Sequence, residues 1–195
     1  MTKIHTRAGG SRHQIVRQGE PTIPKHARIK TLESLRAHLQ TAIELEHATI
    51  PPYLCALYSL QDGYNEKSAQ IVKSVVLEEM LHMILAANVL NAIGGQPDLT
   101  HPRFIPEYPT ILPHSSGSFT VSLEKFSKSA IETFLKIEKP AKPHSQPEAD
   151  NYHTIGQFYE AIEIGLKELS RKHKIFTGAP ERQVTPEYYY GGGGV

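Results

Sequence analysis

The chain of 195 residues carries 21 basic and 20 acidic side chains, and this near balance excludes a general affinity for nucleic acid or for anionic membranes. The length suits one domain, and the lone Cys55 excludes an internal disulfide framework and is typical of a reducing compartment, so we expect a cytoplasmic protein. No stretch approaches ~20 uninterrupted apolar residues and the N-terminus has no apolar signal sequence, so we expect no membrane span.

Residues 1–30 are predicted to form an irregular arm that precedes the first helix. Thr31 is a suitable N-cap for a helix over residues 32–60, which Pro51 and Pro52 are expected to kink. The inward face of this helix follows alternating steps of three and four residues. It consists of Leu32, Leu35, Leu39, Ala42, Glu46, Thr49, Tyr53, Ala56 and Leu60. One carboxylate, Glu46, therefore lies in a mainly apolar face.

A second helix is predicted over residues 66–93, ending at Gly94 and Gly95. Its inward face consists of Val72, Val75, Glu79, His82, Ala86, Val89 and Ile93. Glu46 and Glu79 lie at nearly equal distances along the chain from the intervening turn at residues 61–65. At ~1.5 Å rise per residue, the two carboxylates are expected to face each other at one level of an antiparallel pair.

Three ionisable side chains, Glu46, Glu79 and His82, thus occupy positions where a helix core is normally apolar. A buried carboxylate without a partner is costly, so it is neutralised, paired or bound to a cation. Glu-x-x-His places an oxygen and an imidazole on one helix face, a turn apart, which suits one metal ion. The alternative is a buried hydrogen-bonded network, but neither inward face contains a Lys or Arg partner. This absence favours metal binding.

The remaining elements complete a predicted bundle. Residues 94–121 contain five prolines and are expected to cross over along the bundle. The third helix is predicted over residues 123–138 and the fourth over residues 154–173. Two antiparallel pairs joined by one long crossover follow the plan of ferritin-like four-helix bundles, so we predict an all-α fold over residues 31–176. Residues 177–195 are predicted to be a Gly- and Tyr-rich strip, either truncated or completed by a partner chain.

Bundles of this plan also carry metal ligands on the other two helices. Glu138 shares a face with Ile131 and Phe134, so its side chain is predicted to point inward. On the fourth helix Glu163 flanks the predicted inward face, whereas Glu160 points largely away from it, so Glu163 is the preferred ligand. Neither Glu160 nor Glu163 begins a second Glu-x-x-His motif. A second ion would therefore be held by oxygen atoms alone, in a weaker or asymmetric site.

Four segments carry a family resemblance: residues 44–60 (ELEHATIPPYLCALYSL), 77–95 (LEEMLHMILAANVLNAIGG), 101–109 (HPRFIPEYP) and 175–194 (IFTGAPERQVTPEYYYGGGG). Together they resemble the ferritin-like domain of the iminophenyl-pyruvate dimer synthase family, which includes the chromopyrrolate-forming enzymes of violacein and indolocarbazole biosynthesis. The resemblance implies an iron-dependent oxidative role, in the best-known members the coupling of two imino acids. It implies ligand positions for Glu46, Glu79, His82 and Glu138, and less directly for Glu163. Those synthases are much longer, so it does not imply the substrate.

The leading functional hypothesis is an oxidoreductase that uses dioxygen and a carboxylate-bridged di-iron centre. Manganese is the alternative metal, since carboxylates with one imidazole suit both ions. The expected substrate is a small amino-acid-derived molecule of bacterial secondary metabolism. The alternatives are a ferroxidase-type storage protein and a non-catalytic accessory subunit. We also expect a homo-oligomer, or a partner chain that completes the C-terminal strip, and we assign no catalytic residue beyond the metal ligands.

Overall fold

The computed structural model describes residues 29–112, 120–139 and 155–189. Its four α-helices are α1 (Leu32–Tyr58), α2 (Glu66–Ala92), α3 (Lys128–Ile137) and α4 (Ile155–Lys172). Two short 3₁₀ helices follow, Pro180–Arg182 and Pro186–Tyr188. Across these described ranges the β-structure is limited to one bridge between Thr110 and Val121. The predicted all-α fold is therefore confirmed.

The central helix of the bundle is α1, which packs against both α2 and α4. Thr31 caps it as predicted, because Thr31 Oγ1 accepts a hydrogen bond of 3.1 Å from the Ser34 backbone N–H. The helix continues through Pro51 and Pro52. Its buried apolar side chains form one core with those of the other helices, including Leu35, Leu39, Ala42, Ile43, Val76, Leu90, Phe158 and Ile162. This core places the inward faces of α1 and α2 against each other.

The start of α3 differs from the sequence prediction. The helix was predicted from residue 123, but Val121, the last residue of the predicted crossover, exchanges backbone hydrogen bonds of 2.8 and 2.7 Å with Thr110, and residues 122–127 are not helical. The helix begins only at Lys128, where the Ser127 side chain accepts a hydrogen bond of 3.1 Å from the Ala130 backbone N–H. Consequently α3 is short, and its C-cap is Glu138.

The described part of the proline-rich crossover lies along α1. Gln40 Nε2 donates to the Asp98 carbonyl oxygen at 2.8 Å, and the Asp98 backbone N–H donates to Gln40 Oε1 at 2.9 Å. Further along, the Tyr108 hydroxyl donates to the Ala48 carbonyl oxygen at 2.7 Å. Residues 113–119 of the predicted crossover lie outside the described ranges.

The C-terminal segment follows α2 up to residue 189. The Gly178 backbone N–H donates to the Ala92 carbonyl oxygen at 3.0 Å, and a Cβ at Gly178 would lie 1.8 Å from the Asn91 carbonyl oxygen. Only glycine allows this close approach. Asn88 then exchanges two hydrogen bonds of 2.8 Å with the Val184 backbone. The predicted glycine run at residues 191–194 lies outside the described ranges.

Among the described helices, α2 alone is long and apolar enough, by length and composition only, to cross a membrane, with a mean hydropathy of 1.4 over its most apolar window. Core helices of bundles pass the same test. One side of α2 packs against α1 and carries the buried Glu79.

A buried histidine links α1 to α4. His38 is 1% exposed, its Nδ1 lies 2.7 Å from the Ser34 carbonyl oxygen, and its ring stacks on Phe158 with 5.9 Å between centroids. The carbonyl can only accept, so Nδ1 carries the proton of the neutral ring. Burial lowers the pKa of His38 below its ordinary value, with the hydrogen bond to Ser34 opposing the shift in part.

We therefore expect acid to destabilise the fold partly through His38. Because its folded pKa lies below that of the unfolded chain, the unfolded state binds the extra proton first, and stability present above the unfolded pKa of about 6.5 declines as pH falls below it. His38→Gln should flatten the fall in unfolding free energy between pH 7 and pH 5, by up to about 1 kcal/mol per pH unit. Urea unfolding at pH 7 and at pH 5 measures this change in the free energy of unfolding. The exposed His173→Gln is the control, and an unchanged slope in His38→Gln would contradict the assignment.

Candidate metal centre

The structure brings together the three side chains predicted from the inward faces of α1 and α2. Glu46 and Glu79 are 4% and 6% exposed, and with His82 they offer ligand atoms that all lie within 4.8 Å of one another. His82 Nδ1 is 3.5 Å from Glu46 Oε2 and 3.7 Å from Glu79 Oε1. Glu46 and Glu79 thus face each other at one level of the antiparallel helix pair, as expected from the sequence. These separations leave room for one ion between the three donors.

Hydroxyl groups hold the two buried carboxylates. The Tyr159 hydroxyl donates to Glu46 Oε1. Thr49 Oγ1 lies 2.7 Å from the Glu46 carbonyl oxygen and 2.5 Å from Glu79 Oε2. A hydroxyl has one proton to donate, so both Thr49 contacts are hydrogen bonds only when Glu79 Oε2 carries a proton. Without a cation, Glu79 is the carboxyl group most easily kept neutral.

The pKa shifts in the cluster agree with a neutral Glu79 in the absence of a cation. Burial raises the pKa of Glu79, and the negative charge of Glu46 raises it further, while hydrogen bonds with His82 and Thr49 oppose the shift. Hydrogen bonds with Glu46 and then Glu79 raise the pKa of His82 to about 10. Both raised pKa values indicate that the cluster carries excess negative charge and binds protons when no other cation is present.

The donor set fits a divalent metal. Within residues 29–112, 120–139 and 155–189, no Lys or Arg forms an ion pair with Glu46 or Glu79, and the only cationic partner is the His82 ring. Two carboxylates and one imidazole match iron(II) or manganese(II) better than soft thiolate-binding ions. A metal ion would replace the protons that the isolated cluster binds.

A pocket of about 210 Å³ opens beside the cluster. Its walls combine the three candidate ligands with residues of α1, α3 and α4: Leu45, Thr49, Ile137, Glu138, Lys139, Ile155, Gly156 and Tyr159. The pocket lining thus combines carboxylates with apolar side chains. A small molecule in it would contact the candidate metal position directly.

Glu138 reaches this pocket without joining the three-residue cluster. It is the C-cap of α3, and its Oε1 accepts a hydrogen bond of 2.5 Å from the Tyr53 hydroxyl. Loss of hydration raises the pKa of Glu138, and the Tyr53 hydrogen bond opposes this shift. Tyr53 is at the same time a core aromatic, 1% exposed, and the hydrogen-bond partner of Glu138.

Glu163 is not brought to the cluster. Its side chain is 62% exposed and forms an ion pair with Lys167 one turn later on α4, and it does not line the pocket. Glu160 is exposed as well. Tyr159, on the same helix, points into the site instead. The angular argument from the sequence placed Glu163 at the edge of the inward face, and its i,i+4 pairing with Lys167 keeps it on the solvent side.

The sequence reasoning missed the roles of Thr49 and Tyr159, although it placed both on inward faces. A polar hydroxyl one turn from a buried carboxylate was the available signal for Thr49.

The sequence also contains a second Glu-x-x-His pair on α1, formed by Glu44 and His47, which was not predicted as a site. This pair lies away from the cluster, since Glu44 Oε1 is 3.2 Å from His101 Nε2 and the His47 ring packs on Phe104 at 4.4 Å.

Comparisons with known proteins agree with the helical fold. A structure titled as a ferritin-like protein from Caulobacter vibrioides is 31% identical to the chain, with a TM-score of 0.60. The alignment covers 71% of this chain and 52% of that one, so the chain spans about half the length of that protein. No curated protein matches the chain. The family described as Ferritin-like matches residues 39–195, most of the sequence. With its helical bundle and its cluster of Glu46, Glu79 and His82, the chain belongs to the ferritin-like family.

Proposed function

We propose that the chain is an iron- or manganese-dependent oxidoreductase that uses dioxygen at the centre formed by Glu46, Glu79 and His82. The observation that carries this proposal is the convergence of three donor atoms within 4.8 Å beside a pocket large enough for a small molecule. A bound redox-active metal would supply electron transfer to dioxygen, which side chains alone cannot provide.

The residues of the chain have separate roles in this proposal. Glu46, Glu79 and His82 hold the ion, and the hydroxyls of Tyr159 and Thr49 fix the two carboxylates by hydrogen bonds. Ligands whose orientation is fixed in this way lose less freedom when the ion binds. Leu45, Ile137 and Ile155 would give the substrate apolar surface in the pocket.

A second ion is the part of the proposal that depends on Glu138. Its carboxylate lines the same pocket and would be an additional oxygen ligand, held by the Tyr53 hydroxyl. Such an ion would have no imidazole of its own, as expected from the sequence. The two metal positions would therefore differ, which is typical of asymmetric sites.

The size and lining of the pocket support a small substrate, and the family resemblance supports oxidative chemistry on it. A pocket of about 210 Å³ fits a molecule no larger than an amino-acid derivative. Lys139 at its rim offers a positive charge for a carboxylate group. Oxidative coupling or oxygenation of an amino-acid-derived molecule in bacterial secondary metabolism is consistent with both features, as in the iminophenyl-pyruvate dimer synthase type.

Metal content tests the proposal. Protein purified without chelator should contain iron or manganese, whereas Glu79→Ala and His82→Ala should lower the content sharply and the double variant should lack it. Glu163→Ala is the matched control and should keep its metal, because that side chain is exposed and paired with Lys167. Stoichiometric metal in the double variant would contradict the ligand assignment.

The alternative functions give different results in the same preparation. A storage protein would form a large shell and accumulate many ions per chain, and an accessory subunit would contain no metal. The oxidoreductase should contain one or two ions per chain and, after anaerobic reduction, consume dioxygen. Glu138→Ala should leave one ion bound and suppress oxygen consumption. Two bound ions without any reaction with dioxygen would contradict the oxidase proposal.

A further inference from the structure

One face of α2 is apolar but exposed. Ile71 is 56% exposed and Leu85 50%, and only 28% of the most apolar window of α2 is buried. Exposed apolar residues that line up on one helix face mark an interaction surface. This face, here called the α2 stripe, consists of Ile71, Val75, Glu78, His82, Leu85 and Val89.

The α2 stripe has coiled-coil spacing. Its residues follow one another in alternating steps of four and three, which keeps them on one side of a helix that packs along a second helix. The adjacent side of α2 packs against α1, and another side contacts the C-terminal segment through Asn88 and Val184. Among the described elements, the stripe therefore lies between two occupied sides of α2. Its residues Ile71, Glu78, His82 and Leu85 are exposed, while Val75 and Val89 are half-buried against the core.

The stripe is complementary to a reversed copy of itself. When two α2 helices pack antiparallel and cross near Met80, Ile71 faces Val89 of the second copy and Val75 faces Leu85. Glu78 then faces His82 of the second copy, so an acid meets an imidazole at the centre. In a parallel pair each residue would face its own copy, and two Glu78 carboxylates would meet. Charge complementarity thus favours the antiparallel pair, which has the self-matching form of a two-fold interface.

We propose that the α2 stripe is the interface of an antiparallel homodimer, in which Glu78 of one copy accepts a hydrogen bond from His82 of the other. His82 Nδ1 faces Glu46 and Glu79, so its other ring nitrogen is free to point across the interface. Its side chain is 49% exposed, which leaves that nitrogen accessible. Metal-binding histidines commonly donate their second ring N–H to a carboxylate that orients the ring. Each copy would thus complete the surroundings of its partner's metal centre.

A second copy fits the stripe better than a lipid bilayer does. Glu78 and His82 lie at its centre, where a bilayer would leave a carboxylate and an imidazole without partners. In the antiparallel pair the same two groups satisfy each other, while two apolar contacts lie on either side of them. The proposal goes beyond the metal-dependent activity, and it is tested without measuring metal or turnover.

The first experiment measures the mass of the full chain by light scattering after gel filtration. The wild type should have twice the 21.8 kDa mass of one chain. Leu85→Glu should raise the dimer dissociation constant at least about tenfold, because each interface then contains two buried carboxylates against apolar neighbours. Leu135→Glu is the matched control, since that residue is 67% exposed on α3, and it should remain dimeric. A wild-type monomer, or a dimer unaffected by Leu85→Glu, would overturn the proposal.

The second experiment tests the direction of pairing. In a Cys55→Ala background, Val75→Cys and Leu85→Cys chains are mixed and treated with a bismaleimide shorter than about 10 Å, the distance between packed helix axes. The mixture should form cross-linked dimers. Val75→Cys alone should not, because its two copies lie about 15 Å apart along the antiparallel pair. Efficient cross-linking of Val75→Cys alone would overturn the antiparallel register. Vesicle binding by a monomeric wild type, lost in Leu85→Glu, would instead assign the stripe to a membrane.

Discussion

Glu79→Gln should stabilise the metal-free protein and remove its response to metal. Burial and the neighbouring Glu46 charge raise the pKa of Glu79, so the ionised form is disfavoured in the folded state. The contribution of Glu79 to the free energy of unfolding is present at low pH. It is lost as the pH rises through the raised pKa that Glu79 has in the folded state. Glutamine keeps the shape and stays neutral, and its Nε2 can donate to Thr49 Oγ1 as the protonated carboxyl group does. We expect the free energy of unfolding in chelator at pH 7 to rise by about 1–2 kcal/mol.

Added metal should reverse the order of stability. An ion present at a hundred times its dissociation constant stabilises the wild type by about 2.7 kcal/mol, whereas Glu79→Gln, which lacks an anionic ligand, gains little. Thermal unfolding with chelator and with saturating manganese measures both effects. Glu163→Gln is the control and should follow the wild type in both conditions, because its carboxylate pairs with Lys167 at the surface. A variant that is less stable than the wild type in chelator would contradict the proposed strain in the cluster.

The fold and the centre of the site were predictable because they depend on local periodicity. Helical spacing identified the inward faces of α1 and α2, and equal distances from one turn predicted that Glu46 and Glu79 would meet. These inferences need only the pitch of a helix and the cost of burying charge. The family resemblance added the expected chemistry, which periodicity cannot supply.

The second half of the site was less predictable because it depends on long-range packing. The predicted start of α3 was five residues too early, since the helix begins at Lys128 after an extended segment. Val121 in that segment pairs with Thr110, a long-range contact that no local pattern indicates. On α4, the position of Glu163 near the edge of the inward face left its direction open. Its contact with Lys167 and the insertion of Tyr159 into the site depend on how α4 packs against α1.

The α2 stripe shows a different limit of sequence reasoning. Two overlapping faces of α2 share Val75, His82 and Val89, and the helical pattern alone predicted a single inward face. The structure separates them, because Glu79 is buried against α1 while Leu85 is half exposed. His82, a candidate ligand that belongs to both faces, connects the candidate metal centre to the proposed dimer interface.

Tyr53→Ala should cause the largest loss of stability among substitutions on α1. The side chain is 1% exposed, its ring packs on Phe134 with 4.4 Å between centroids, and its hydroxyl holds Glu138 at the end of α3. Truncation of a buried aromatic leaves a cavity and costs about 3–5 kcal/mol. That is a large fraction of the about 5–15 kcal/mol that stabilises a typical domain. We therefore expect much of the variant to be unfolded or to lose α3.

Two further variants separate packing from hydrogen bonding at this position. Tyr53→Phe keeps the ring and removes only the bond to Glu138, so urea unfolding should show a loss of about 1 kcal/mol, since water can reach that carboxylate. Tyr58→Ala, one turn later and 78% exposed, should change stability by no more than about 0.5 kcal/mol. If Tyr53→Phe were as damaging as Tyr53→Ala, the hydroxyl and Glu138 would be the main connection between α1 and α3. If Tyr53→Ala resembled Tyr58→Ala, α3 would not be anchored at Tyr53 and Glu138 would be free to leave the pocket.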